Sequence, residues 1–128
     1  MPLIDHVDVR VRNFGGVRAL YDALLPAMGY SEIHADESSA GYHVPAETGA
    51  EPFIWLVQDN DHKPNGTRIA LAAASRGDVD RFSAIAARNG ATNYEAPQLI
   101  EEYGPDYYAS FFEDAEGNKL EICCRCAP

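Results

Sequence analysis

The chain has 128 residues, enough for one domain with a shared core and too few for two independent ones. Hydrophobic residues make up 46% and charged residues 23%, a globular composition in which no apolar run nears the roughly 20 residues that span a bilayer. Twenty Asp and Glu against ten Lys and Arg give a net charge of -10, which repels phosphate backbones and anionic lipid and argues against nucleic-acid or membrane partners.

The N-terminus carries no charged segment followed by an apolar one, so no signal peptide is expected and the location expected is cytoplasmic. Residues Leu3–Arg12 alternate, with Val7, Val9 and Val11 set against His6, Asp8, Arg10 and Arg12, the period of a half-buried strand. Asn13 is a fair N-cap for a helix whose apolar stripe is Val17, Leu20, Tyr21, Leu24, Leu25 and Met28, ending near Pro26 and Gly29. Short strands are expected at Tyr30–His34, around Gly41–Val44 and at Phe53–Gln58, with turn-rich segments at Ala35–Ala40 and Pro45–Pro52. Asp8 and Arg10 share the parity of His6 and either pair locally or line a pocket.

Asp59–Gly66 has the composition of a linker, and residues 60–66 divide a first module, 1–59, from a second, 67–128. Beyond it the pattern restarts: a strand at Thr67–Ala74, a capping box at Ser75-Arg76-Gly77-Asp78, and a helix carrying Val79, Phe82, Ile85, Ala86 and Asn89 that Gly90 ends. The remaining strands fall around Thr92–Tyr94, Tyr107–Glu113 and Lys119–Cys124, the last two joined by a hairpin turn at Asp114–Asn118 in which Gly117 meets a positive φ. A constant offset of 62 superimposes the halves: His6 on Arg68, Val9 on Leu71, Val11 on Ala73, Asn13 on Ser75, Gly15 on Gly77, Val17 on Val79 and Leu20 on Phe82. Two copies of one βαβββ unit explain this, giving an α+β fold with helices on the outer face and a curved, mostly antiparallel sheet groove for a ligand.

Cys123, Cys124 and Cys126 form an odd, tight cluster that suits a reducing compartment and has neither disulfide-framework nor zinc-site spacing. They read as small residues of a terminal strand. No Gly-rich phosphate loop and no serine in a triad context are evident. His43 and His62 read as surface histidines. Tyr103, Tyr107 and Tyr108 cluster where they could stack on a planar ligand or simply cover the core.

The duplication, IDHVDVRV at the start, RIALAAASRGDVDRF in the second half and YYASFFEDAEGNKLEICC at the close resemble the glyoxalase/bleomycin-resistance/extradiol-dioxygenase (vicinal oxygen chelate) superfamily over nearly the whole chain. That resemblance implies a single glyoxalase-like domain, a homodimer, and one divalent ion (Zn, Ni, Mn or Fe) held by residues of the first strand of each module and of the last strands. The matching positions are His6, Arg68 and Glu121, with Trp55 as the first-module counterpart of Glu121. His6 and Glu121 could ligate, and Trp55 cannot. Arg68 offers no lone pair. At 4 Å it would repel a divalent ion by about 8 kcal/mol at an effective dielectric of 20. A metal-free pocket is therefore the expectation, with Arg68 and Glu121 paired across its floor.

The resemblance implies an enzyme on a small oxygenated substrate, of lyase, isomerase or dioxygenase-like type, with a degenerate metal site. Glu121 and His6 would be its catalytic groups, and Arg68, Trp55, Tyr107 and Tyr108 would contact ligand. The alternative is a non-catalytic binder of the bleomycin-resistance kind, whose acidic balance would suit a cationic ligand; a third reading is a dimeric module with a lapsed pocket.

Overall fold

The structure is a computed structural model that describes residues 3–43 and 53–128. It divides into two compact units, residues 1–63 and 64–128, with the boundary inside the expected linker. The first runs β1 (Val7–Val11), α1 (Phe14–Ala27), β2 (Ser31–Ala35), β3 (Ser39–His43) and β4 (Ile54–Gln58). The second runs β5 (Arg68–Ala72), α2 (Arg76–Arg88), β6 (Thr92–Leu99), β7 (Tyr107–Glu113) and β8 (Lys119–Arg125), with a 3-10 turn at Glu101–Tyr103. Val44 and the turn-rich stretch 45–52 lie outside the described residues.

Each unit is one βαβββ module with the same topology. The sheet orders are β1-β4-β3-β2 and β5-β8-β7-β6, the first pair of each parallel and the others antiparallel. The helices begin 62 residues apart, and their caps act alike: Asn13 accepts from the Gly16 N–H at 3.1 Å and Ser75 from the Asp78 N–H at 3.0 Å. Strand register extends the equivalence. Asp8 lies opposite Trp55 and Ala70 opposite Glu121, so Trp55 is the counterpart of Glu121.

One face of each sheet is covered by its helix. In the first unit Val9, Val11, Ile54, Leu56, Ala40 and Tyr42 are buried, as are Phe14, Val17, Leu20, Tyr21, Leu24 and Leu25 of α1. Each large side chain so buried contributes about 1.5–3 kcal/mol. In the second unit Leu71, Leu120, Ile122, Cys124 and Phe112 are buried along with Val79, Phe82 and Ala86 of α2. Met28, expected at the end of the α1 stripe, instead caps that helix, its N–H bonded to the carbonyls of Leu24 and Leu25.

β6 is longer than the strand expected around Thr92–Tyr94 and runs through Pro97 to Leu99. An edge strand tolerates a residue without an N–H, and β6 pairs on one side, with β7. Gly117 has φ 94 in the β7–β8 hairpin, and the buried Asp114 carboxylate accepts from the N–H groups of Glu116 and Asn118.

Candidate functional site

Strand alternation decides what the second unit presents on the face turned from α2. Residues 119, 121, 123 and 125 of β8 share that face with 107, 109, 111 and 113 of β7 and with 68, 70 and 72 of β5. The cross-strand rows read Arg68–Lys119–Glu113, Ala70–Glu121–Phe111 and Ala72–Cys123–Ala109, with Arg125 beside Tyr107. Tyr107, Ala109 and Phe111 form a small apolar cluster on this face, against which Ile100 and Cys123 pack.

Glu121 is 6% exposed. The Tyr107 hydroxyl donates to its Oε2. Burial, this bond and the nearby Cys123 thiol push the Tyr107 pKa up, so the tyrosine stays a neutral donor. Arg68 does not pair with Glu121 as expected. Its guanidinium lies 4.8 Å from the centroid of the Phe111 ring. The physical reason is that Tyr107 already serves the buried carboxylate, while Phe111 offers the exposed guanidinium an aromatic surface that requires no desolvation of a second charge. Glu113 feels Arg68 as a charge, but its oxygens are taken by Lys119 at 2.8 Å and Asn93 at 2.9 Å, and Lys119 is the largest cause of its lowered pKa.

Of the residues singled out in the sequence, Arg68, Tyr107 and Glu121 share this face. Tyr108 does not. It lies on the helix-covered side, donating to Asp80 of α2 at 2.7 Å beneath the Arg76 guanidinium. Adjacent strand residues point to opposite faces, so Tyr107 and Tyr108 could not both line one pocket. Two residues of this face were missed, Phe111 and Arg125, the latter 4.7 Å from the Tyr107 ring centroid. Period-2 parity along β7 and β8 would have found them.

His6, Trp55 and Arg10 belong to the first unit. His6 precedes β1 and is exposed, its Nδ1 2.7 Å from Asp5, whose hydrogen bond raises the imidazole pKa. Arg10 donates to Asp59 at 3.3 Å. Trp55 packs its ring 5.4 Å from that of His34. Ser39 Oγ and Asp36 Oδ2 approach the same nitrogen of His34, Nε2, at 3.4 and 3.2 Å. A Ser–His–acid relay uses two different ring nitrogens, so this cluster activates no nucleophile. His43 is half-buried rather than superficial, and its Nδ1 has no hydrogen-bond partner among the described residues. His62 sits in the loop after β4, its N–H on the Asp59 carbonyl.

The donor set of this face does not fit a divalent ion. Within the second unit the buried carboxylate of Glu121 is already bound by Tyr107, and Arg68 on the same face offers no lone pair to an ion. Among the described residues no group of three or more His, Cys, Asp or Glu is placed to hold a metal, and no helix is long and apolar enough to cross a membrane.

No protein-family model and no curated protein matches the sequence. Solved structures do. A glyoxalase/bleomycin resistance protein from Albidiferax ferrireducens is 28% identical, with a TM-score of 0.75 over 95% of this chain and 98% of that one. A putative glyoxalase from Bacillus halodurans is 26% identical, with a TM-score of 0.69 over 94% of each chain. A mutant of the fosfomycin resistance protein FosX from Listeria monocytogenes, complexed with Mn(II) and a dihydroxypropylphosphonic acid, shares the fold at 13% identity, with a TM-score of 0.64 over 91% of this chain and 85% of that one.

Proposed function

We propose that this chain, a member by fold of the glyoxalase/bleomycin-resistance/dioxygenase (vicinal oxygen chelate) superfamily, binds a small oxygenated anion on the helix-free face of its second module and moves a proton on it without a metal. One observation carries the reading: Arg68 rests on Phe111 without pairing with Glu121, while Glu121 is held by Tyr107. The FosX neighbour is complexed with Mn(II). In this chain a fixed positive charge stands in the corresponding role, and its chemistry is that of an oxyanion clamp rather than a Lewis acid.

Arg68 is suited to a substrate carboxylate or a developing enolate oxygen, because its planar fork matches two oxygens at once. Glu121 has Oε2 fixed by Tyr107, which leaves Oε1 as the basic atom. It would take a proton from carbon next to a carbonyl, the C–H electron pair passing into the enolate whose oxygen Arg68 stabilises. Tyr107 acts through Glu121 by fixing its rotamer and is a positioning residue.

A second reading, sequestration without turnover, has its own support in the aromatic surfaces of both modules, Trp55 with His34 and Tyr107 with the exposed Tyr103. Pyruvate in D2O separates the two. The enzyme reading expects deuterium to enter the methyl group faster than in buffer, with loss of that excess in Glu121→Gln and at least tenfold weaker binding in Arg68→Gln. Binding that depends on Arg68 without any exchange would favour sequestration. Binding indifferent to Arg68 would overturn both.

A further inference from the structure

The same face carries a second guanidinium, that of Arg125. Arg125 closes β8 directly opposite Tyr107, with its guanidinium 4.7 Å from that ring and one nitrogen 3.5 Å from the Tyr103 carbonyl. Arg68 and Arg125 thus resemble each other: both are exposed, both lie against an aromatic residue of β7, and neither has a carboxylate within ion-pair distance among the described residues. In a chain of net charge -10 acidic partners are abundant, and four of the other arginines take them, Arg88 at the end of α2 not among them. Arg10 pairs with Asp59, Arg18 with Asp22 and Glu32, Arg76 with Asp106 and Arg81 with Asp78. A guanidinium stacked on a ring keeps its N–H fork aimed outward and its orientation fixed, the state in which it takes an anion with least loss of freedom.

Between the two lie Ala70 and Ala72, exposed and carrying methyl groups alone, beside Glu121 and Cys123. Ile100 and Cys123 pack against the β7 cluster and Glu121 is buried, so the exposed strip runs along β5. Phe111 and Tyr107, which set the two guanidinium positions, are separated along β7 by about 13 Å.

Resting on the assignment of Arg68 as an oxyanion site, we propose that Arg125 is a second anion contact and that the ligand class is dianionic: a chain of moderate length with an acidic group at each end. One end would sit on Arg68 and the other on Arg125, which places the middle of the chain over Ala70 and Ala72 and beside the Glu121 carboxylate.

Calorimetric titration of the full chain with α,ω-dicarboxylates from glutarate to sebacate, each beside its monomethyl ester, tests this. The expected result is a length optimum at which the diacid binds about tenfold tighter than its half-ester, with the gain removed in Arg125→Gln. Diacids no tighter than half-esters at any length, or a gain that survives Arg125→Gln, overturn the proposal while leaving the Arg68 site standing. Half-esters that fail to bind, or bind equally well to Arg68→Gln, overturn the Arg68 assignment itself. The comparison of diacid with half-ester on the unaltered protein needs no variant, so a poorly folding Arg125→Gln does not protect the idea.

Discussion

The two modules share caps, topology and register, yet they differ on the face turned from the helix. The first presents His34 against Trp55 and Arg10 paired with Asp59. The second presents a buried carboxylate held by a tyrosine and two arginines resting on aromatic residues. Helix-side positions are constrained by packing, where loss of a methylene is felt, so duplication preserves their apolar character. Positions on the other face pack against no helix and diverge, though Tyr107, Ala109 and Phe111 of the second module are themselves buried there. Chemistry is therefore to be sought where the repeat fails, and Trp55 against Glu121 is its sharpest failure.

The largest effects should be common to both modules. Leu24→Ala in α1 and Phe112→Ala in β7, each nearly or fully buried, should cost about 2–5 and about 3–5 kcal/mol in urea unfolding. A marked inequality would break the claim that the two helix-covered cores are equivalent. The tyrosine–carboxylate bonds should then separate the modules. Tyr107→Phe leaves the buried Glu121 oxygen without its donor and should cost about 1–3 kcal/mol. Tyr42→Phe should cost about 0.5–1.5 kcal/mol, because Asp22 keeps Arg18 at 2.7 Å. Equal losses would mean that Glu121 has another donor in solution.

The caps should reunite them at a smaller scale. Ser75→Ala should cost about 1 kcal/mol, since it leaves the Asp78 N–H without its acceptor, and Asn13→Ala about 0.5 kcal/mol, since the Gly16 N–H keeps the residue-13 carbonyl at 3.1 Å.

The smallest effect belongs to the first module. The N–H groups of Ser38 and Ser39 and the His34 ring hold the Asp36 pKa down to about 2, against an ordinary 3.8. A depressed carboxylate adds stability that is full above the unfolded value and is lost as pH falls through the folded one. The urea midpoint should therefore decline between about pH 4 and pH 2, and Asp36→Asn should flatten that part of the profile. The corresponding connection of the second module, with its 3-10 turn, should not replace this dependence.

Both helices, their caps and most strand positions were legible in the sequence because they rest on local rules: alternation in β1, the apolar stripe of α1, Ser75 three residues before the Asp78 N–H it accepts from. The offset of 62 carried the topology, and the register of Asp8 with Trp55 and Ala70 with Glu121 bears out the pairing of Trp55 with Glu121. Less legible was who bonds whom. Arg68 with Glu121 looked natural from charge alone, but Tyr107 reaches that carboxylate from the neighbouring strand, and cross-strand neighbours depend on register that a sequence does not print. Tyr108 is adjacent to Tyr107 in sequence, but strand parity puts the two on opposite faces. β6 runs on past Tyr94 and through Pro97 to Leu99, because edge position, not composition, decides whether a strand survives a proline.

Metal analysis of the purified protein, followed by titration with Zn, Ni, Mn and Fe, tests the replacement of an ion by Arg68 most directly. The expected result is no stoichiometric metal and no saturable binding in the unaltered chain. One ion per chain, retained through purification and lost in His6→Ala or Glu121→Gln, would contradict it.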